Sequence, residues 1–167
     1  MHNDYLFNPD ILSDLDFSNS KANYKDSNRS DLLKPGFCIR PLKRSDFNEY
    51  ANLLKNLTSI GNLDAQQFEK RFYEMKKCEN TYFIVVIEET STKSIVSAGS
   101  VLIELKFIRS CNKRGHVEDI VTKPEFRGKQ FGKLVVDYLC AIAIMQGCYK
   151  ISLDCNDDYK LYQSKDS

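Results

Sequence analysis

Ten residues, PEFRGKQFGK (Pro124 to Lys133), place two glycines among basic side chains between an apolar strand-like run and an apolar helix-like run. A strand-to-helix junction of this kind leaves several backbone N–H groups unpaired at the positive end of the helix dipole, where an anion is favoured. Gly128 and Gly132 carry no Cβ, so a phosphate could approach the main chain closely. Arg127, Lys129 and Lys133 add positive charge. The spacing excludes two familiar phosphate loops. G-x-x-x-x-G-K-[ST] fails because Gly128 and Gly132 stand four apart and Leu134 follows Lys133, and G-x-G-x-x-G is absent. On spacing alone the stretch reads as an anion cradle or as a solvated basic turn.

The neighbouring text must position this loop. FCIRPL reads as a strand, with Pro41 marking its end or an edge. SDFNEYANLLKNL reads as a helix capped by Ser45, with Phe47, Tyr50, Leu53, Leu54 and Leu57 at helical intervals. DAQQFEKRFYEMKK is a second helix, capped by Asp64, with Phe68, Phe72 and Met75 on one stripe. TYFIVVIEE, IVSAGSVLIELKFI and HVEDIVTK form a meander of strands. FGKLVVDYLCAIAIMQ is an apolar helix stopped at Gly147, and CYKISLDC closes as a strand. The order predicts an α/β (α+β) domain, with a mixed central sheet and helices on both faces. Its last β-α-β unit demands a right-handed crossover between parallel strands. Residues 1–36, rich in Asn, Asp, Ser and Lys, read as a largely irregular arm. Its apolar cluster, Tyr5, Leu6, Phe7, Ile11 and Leu12, predicts docking at one point.

Composition narrows the function. At 167 residues the chain suits one domain, and a net charge of +1 offers no global field for nucleic acid. No apolar run approaches the ~20 residues of a membrane span, and the acidic start lacks a signal-peptide pattern. Six cysteines without a C-x-x-C pair, and only two histidines, argue against a metal site and for reduced, buried thiols in the cytoplasm. A peripheral association with internal membranes is the alternative location.

Read as Arg127 to Gly132, RGKQFG approaches the R/Q-x-x-G-x-G/A loop of the Gcn5-related N-acetyltransferases, with Gln130 at the place of the middle glycine. RGHVEDIV, RGKQFGKL and CYKISLDC together closely resemble the eukaryotic glucosamine 6-phosphate N-acetyltransferases, as do LTSIG, FEKRFYEMKK and, in the arm, FNPDIL. The resemblance covers residues 37–155, the expected acetyltransferase domain. It implies the Gcn5-related N-acetyltransferase fold and transfer of acetyl from acetyl-CoA to the amine of D-glucosamine 6-phosphate, in UDP-N-acetylglucosamine synthesis.

The resemblance also implies roles. The coenzyme's diphosphate would lie on Arg127, Gly128, Lys129, Gln130, Phe131, Gly132 and Lys133, and its pantetheine along Ile120, Val121 and Thr122. For Ile120 and Val121, side chains packed in a core and main chain facing the coenzyme are compatible. The sugar phosphate would meet Thr58, Lys106, Phe107, Ile108, Arg109, Glu118, Asp119, Tyr149 and Lys150. That set supplies cations for a phosphate and carboxylates for hydroxyls and an amine. Glu118 and Asp154 would take the amine proton, a backbone N–H near Ile120 would stabilise the oxyanion, and Tyr162 would protonate the departing thiolate.

After SLDC the family continues through N-V-x-F-Y-x-K-x-G-[YF] into a last strand exchanged between two subunits. This chain reads NDDYKLYQSKDS, so residues 156–167 are expected to be a divergent tail with that strand missing. A homodimer is implied by the resemblance, but its exchanged strand is not in this text. The alternative function is an impaired short form that binds acetyl-CoA or sugar phosphate, or regulates a full-length partner.

Overall fold

Alternating apolar residues build five strands in the computed structural model, which describes residues 2–153. They are β1 (Phe37–Pro41), β2 (Tyr82–Glu89), β3 (Ile95–Leu105), β4 (Lys113–Thr122) and β5 (Cys148–Leu153). The sheet order is β1-β2-β3-β4-β5, antiparallel throughout except for β4 and β5, which run parallel. Helices α1 (Phe47–Leu54) and α2 (Ala65–Lys77) follow β1, and α3 (Phe131–Met145) makes the crossover between β4 and β5. This is the mixed sheet with helices on both faces. The expected absence of a last strand falls on residues beyond 153, outside those described.

Local chemistry sets the helix ends. Asp64 caps α2: its carboxylate accepts from Gln67 N–H at 2.8 Å, and the Gln67 side chain accepts from Asp64 N–H at 3.0 Å. Ser45 does not cap α1. A 3-10 turn, Arg44–Asp46, precedes that helix, and Asp46 accepts from Lys43 N–H at 2.7 Å. Asp46 wins because buried Arg40 holds it by two further bonds, at 2.8 and 2.9 Å, while binding Glu88 at 2.6 Å. Gly147, at φ +83, ends α3 in the left-handed region that a glycine enters most cheaply.

The sheet separates two cores. On one face, Phe83, Val85, Ile87, Val101 and Val117 pack against Leu134, Val135, Leu139 and Ile142 of α3. On the other, Ile84, Val86, Ala98 and Val121 meet Tyr50, Leu53, Phe68 and Phe72 of α1 and α2. Val117 and Val121 lie four apart yet belong to opposite cores. The cause is a bulge: Ala98 pairs with Val121 and Ser100 with Glu118, so Asp119 and Ile120 face Gly99 alone. Asp119 sits at φ 53, and that left-handed residue reverses the alternation of β4.

The arm docks at more than one point. Leu6 is buried in the α1/α2 core and its N–H bonds Leu42 O at 2.8 Å, while Tyr5 bridges Lys43. Phe7 meets Phe83 edge-on at 5.0 Å, and Ile11, Leu12, Leu15, Leu32 and Leu33 pack against the α3 core. The apolar flank of α3 gives the arm's scattered apolar residues beyond Leu6 a place to bury. No helix among the described residues is long and apolar enough to cross a membrane.

Gly99 is required where the bulge meets α3. A Cβ there would stand 2.7 Å from Val135 Cγ1 and 3.0 Å from Leu139 Cδ1, inside van der Waals contact. Gly99→Ala is expected to lower stability by about 1–3 kcal/mol in urea unfolding. An unchanged midpoint would show that the bulge yields freely.

Candidate active site

The parallel pairing of β4 with β5 runs from Lys113↔Cys148 to Val117↔Leu153, whereas β4 continues to Thr122. Among the described residues, no strand covers the outer edge of Glu118–Thr122. A cavity of about 250 Å³ opens at this divergence, lined by Arg114, His116, Val117, Glu118, Ser152 and Leu153. Arg114, His116 and Glu118 alternate along β4 ahead of the bulge, so they share the face opposite α3. Arg114 Nε donates to Ser152 Oγ at 2.9 Å, and His116 Nε2 lies 2.7 Å from Glu104 Oε2. Lys106 Nζ stands 2.9 Å from Glu104 Oε1. The hydrogen bond with His116, then that with Lys106, holds the Glu104 carboxyl below its ordinary range. Glu118 and Asp119 are exposed. Tyr50 of α1 is buried beside them, and burial, reinforced by the charge of Asp119, pushes its phenol far above the ordinary value. Arg114, His116, Ser152 and Tyr50 escaped the sequence reading, although the alternation of RGHVE carried a usable signal for the first two.

The glycine loop follows the exposed edge. A 3-10 turn, Pro124–Phe126, leads into Gly128 at φ 84 and Gln130 at φ 65. The first helical bond of α3 is Leu134 N–H to Gln130 O at 3.0 Å. No described residue accepts from the six consecutive N–H groups of Gly128 through Lys133. Six free donors at a helix start, with Arg127 and Lys129 exposed beside them, fit a diphosphate. Phe131 contributes differently: its ring is buried against Phe37 at 4.9 Å and anchors the loop to the core. Gln130 and Lys133 have side chains turned to the arm, bonding Lys25 and Asn23. Ile120 packs against the α3 core, Val121 is buried in the other, and Thr122 Oγ1 lies 2.8 Å from Ser97 Oγ. Only their main chain can serve a ligand along this edge.

Other expected site residues stand elsewhere in this single chain. β3 ends at Leu105, so Lys106, Phe107, Ile108 and Arg109 form the tip of the β3–β4 hairpin instead of prolonging the strand. Arg109, Ser110 and Cys111 take φ of 54, 59 and 57, a left-handed turn closed by Cys111 N–H to Phe107 O at 3.0 Å. Arg109 Cζ lies 5.8 Å from the Tyr149 ring, and Tyr149 and Lys150 open β5 beside the start of β4. Six residue steps carry β4 from Lys113 to Asp119, roughly 20 Å at the usual rise. Arg109 at the hairpin tip is thus remote from Glu118 and Asp119 along β4, whereas the Lys106 ammonium folds back onto Glu104 beside His116. Thr58 is exposed just past α1, its N–H on Leu54 O at 3.1 Å. Asp154, Cys155 and Tyr162 lie outside the described residues.

The fold has relatives among known proteins. The model of the Acetyltransferase (GNAT) family matches residues 47–164. The chain belongs to this family, in the branch of the glucosamine 6-phosphate N-acetyltransferases. It is 43% identical over 163 residues to a probable glucosamine 6-phosphate N-acetyltransferase of Drosophila melanogaster, covering 96% of this chain and 74% of that one. Its identity to the Arabidopsis thaliana glucosamine 6-phosphate N-acetyltransferase is 42% over 130 residues, covering 77% and 87%. The crystal structure of that enzyme class from Arabidopsis thaliana superposes with a TM-score of 0.74 at 40% identity, covering 80% of this chain and 95% of the other.

The thiols stand apart from this chemistry. Burial, aided by the charge of Asp137, pushes the Cys140 thiol up to about 12, whereas Cys78 and Cys111 are exposed. At pH 8 only about one Cys140 in ten thousand is thiolate. Iodoacetamide at that pH is expected to label Cys78 and Cys111 and to spare Cys140 until denaturant is added. Equal native labelling of Cys140 and Cys78, read by mass spectrometry, would contradict this burial.

Proposed function

We propose that the chain transfers the acetyl group of acetyl-CoA to the amine of D-glucosamine 6-phosphate, giving N-acetyl-D-glucosamine 6-phosphate for UDP-N-acetylglucosamine synthesis in the cytoplasm. The observation that carries this reading is the β4 edge that no described strand covers, leading through one 3-10 turn to six N–H groups without an acceptor among the described residues. Arg127, Gly128, Lys129, Gln130, Gly132 and Lys133 hold the diphosphate, and the main chain of Ile120, Val121 and Thr122 pairs with the pantetheine as an added strand would. The bound thioester supplies the activated acetyl group. Glu118, exposed at the cavity mouth, takes the proton that the amine must lose before it can attack. Asp119 holds the amine or a hydroxyl from the same side. Arg114 gives the cavity a cationic wall for an anionic sugar.

The remaining phosphate contacts come from a second copy. Arg109 stands at the hairpin tip, beyond the start of β4 and remote from Glu118 in its own chain. Leu105, Phe107 and Ile108 on the same hairpin tip are 76, 94 and 59% exposed, an apolar surface that a homodimer would cover. In a symmetric dimer, each tip would bring its cations to the partner's carboxylates.

A thiol-release assay with acetyl-CoA and glucosamine 6-phosphate tests the reaction. Glu118→Ala should lower kcat by about 10²- to 10⁴-fold while acetyl-CoA binding is retained. Mixing Glu118→Ala with Arg109→Ala chains should recover activity that neither homodimer has. Acetyl-CoA binding without any turnover of the wild-type chain would refute the transferase reading. Failed complementation, with mixed dimers demonstrated, would refute the shared site.

A further inference from the structure

Asp137 lies on α3, seven residues beyond Gln130, and its side chain is almost fully buried among apolar neighbours. A lone carboxylate there is costly unless donors surround it. Among the described residues its donors come from the arm: Ser20 Oγ at 2.5 Å, Tyr24 Oη at 2.6 Å and Arg29 Nε at 2.7 Å. Arg29 is itself stacked over Phe17, its Cζ 3.8 Å from the ring centroid, and Phe17 meets Tyr138 of α3 edge-on at 5.0 Å. Ten residues of arm, Ser20 to Arg29, are thereby fastened to the helix that begins at the glycine loop.

Within that span the arm reaches the loop itself. Lys25 N–H donates to Gln130 Oε1 at 2.7 Å, and Gln130 Nε2 donates to Lys25 O at 3.0 Å, so the side-chain amide pairs with the arm as a backbone would. Lys133 Nζ donates to Asn23 O at 2.8 Å. Gln130 is the loop residue that most needs support, because it holds φ 65 without being glycine. Both open hydrogen-bonding ends of its amide are taken up by one arm residue.

We propose that the arm is a positioning clamp for the coenzyme loop: Asp137 fixes residues 20–29, and Lys25 in turn holds Gln130 in the left-handed conformation that aims the loop's N–H groups at the diphosphate. This rests on the reading of residues 127–133 as the diphosphate site. The clamp's bonds run to the coenzyme loop and to α3 and not to Glu118 or Asp119, so its loss weighs on acetyl-CoA. When the arm is released, the binding-competent loop is a fraction of the population, and the apparent affinity for acetyl-CoA falls by that fraction.

Arg29→Gln and Tyr24→Phe, singly and together, test this in the full-length enzyme. Trypsin should cut faster after Lys21 and Lys25, and KM for acetyl-CoA should rise about tenfold, corresponding to a competent fraction near one-tenth. KM for glucosamine 6-phosphate and kcat should stay within about twofold, a split that general destabilisation does not produce. Gln130→Gly supplies the second arm of the test, since glycine adopts this φ unaided. In that background the arm substitutions should no longer change KM for acetyl-CoA. Unaltered trypsin cleavage, an unaltered acetyl-CoA KM with the arm released, or an equal rise in the Gln130→Gly background each overturns the clamp. Gly128→Asp separates the two levels, because it sets a carboxylate in open space at the loop. If Gly128→Asp abolishes acetyl-CoA binding while the arm variants have no effect, the clamp alone is wrong. If it leaves binding intact, the diphosphate loop and the clamp fall together.

Discussion

One left-handed residue in a strand governs the site. Asp119 at φ 53 opposes Gly99 and turns the side-chain alternation of β4 by one position. An L-residue held there costs on the order of 1–2 kcal/mol, a strain that Asp bears better than most. In return Ile120 drops against α3, Val121 enters the opposite core, and the carboxylates of Glu118 and Asp119 stand together at the surface. Val117↔Leu153 is the last described pair between β4 and β5. The free edge beyond it, the loop after it and the cavity beneath it occupy one place because of that change of course.

The same edge explains why a buried, rigid helix follows. The loop donors are useful only if they stay aimed, and α3 is fixed by Leu134, Val135, Leu139 and Ile142, all essentially inaccessible. Phe131 anchors the first turn between Phe37 and Phe126, so the loop hangs from an aromatic cluster on one side and from the arm on the other. Rigidity at the loop and exposure at Glu118 divide the work. Coenzyme binding draws on main chain held by packing, and proton transfer draws on a carboxylate left in water's reach.

The elements were legible because their apolar runs are. The short β-branched apolar run of TYFIVVIEE reads as a buried strand and the long apolar run of FGKLVVDYLCAIAIMQ as a helix, and a strand-helix-strand order forces the parallel pair. The bulge was not legible, since VEDIV reads as an ordinary strand and a left-handed φ leaves no compositional mark at Asp119. The hairpin tip misled for the opposite reason: KFI looks like continuing strand, but the turn needs those residues to reverse direction. The arm was underestimated because Leu6, Phe7, Ile11, Leu12 and Leu15 follow no period, and only the folded cores on the two faces of the sheet tell them where to go. Asp137 was a missed signal. A single charge inside LVVDYLCAIA demands partners, and those partners proved to be Ser20, Tyr24 and Arg29.

Amide hydrogen exchange with and without acetyl-CoA probes the central claim most directly, because it reads the main chain that is proposed to hold the coenzyme. Slowed exchange in Glu118–Thr122 and in Gly128–Lys133, with the strands β1 and β2 unaffected, is the result the account predicts. Unchanged exchange in both segments would contradict it. So would protection centred instead on the separate cavity of about 240 Å³ lined by Phe17, Cys140 and Ile151.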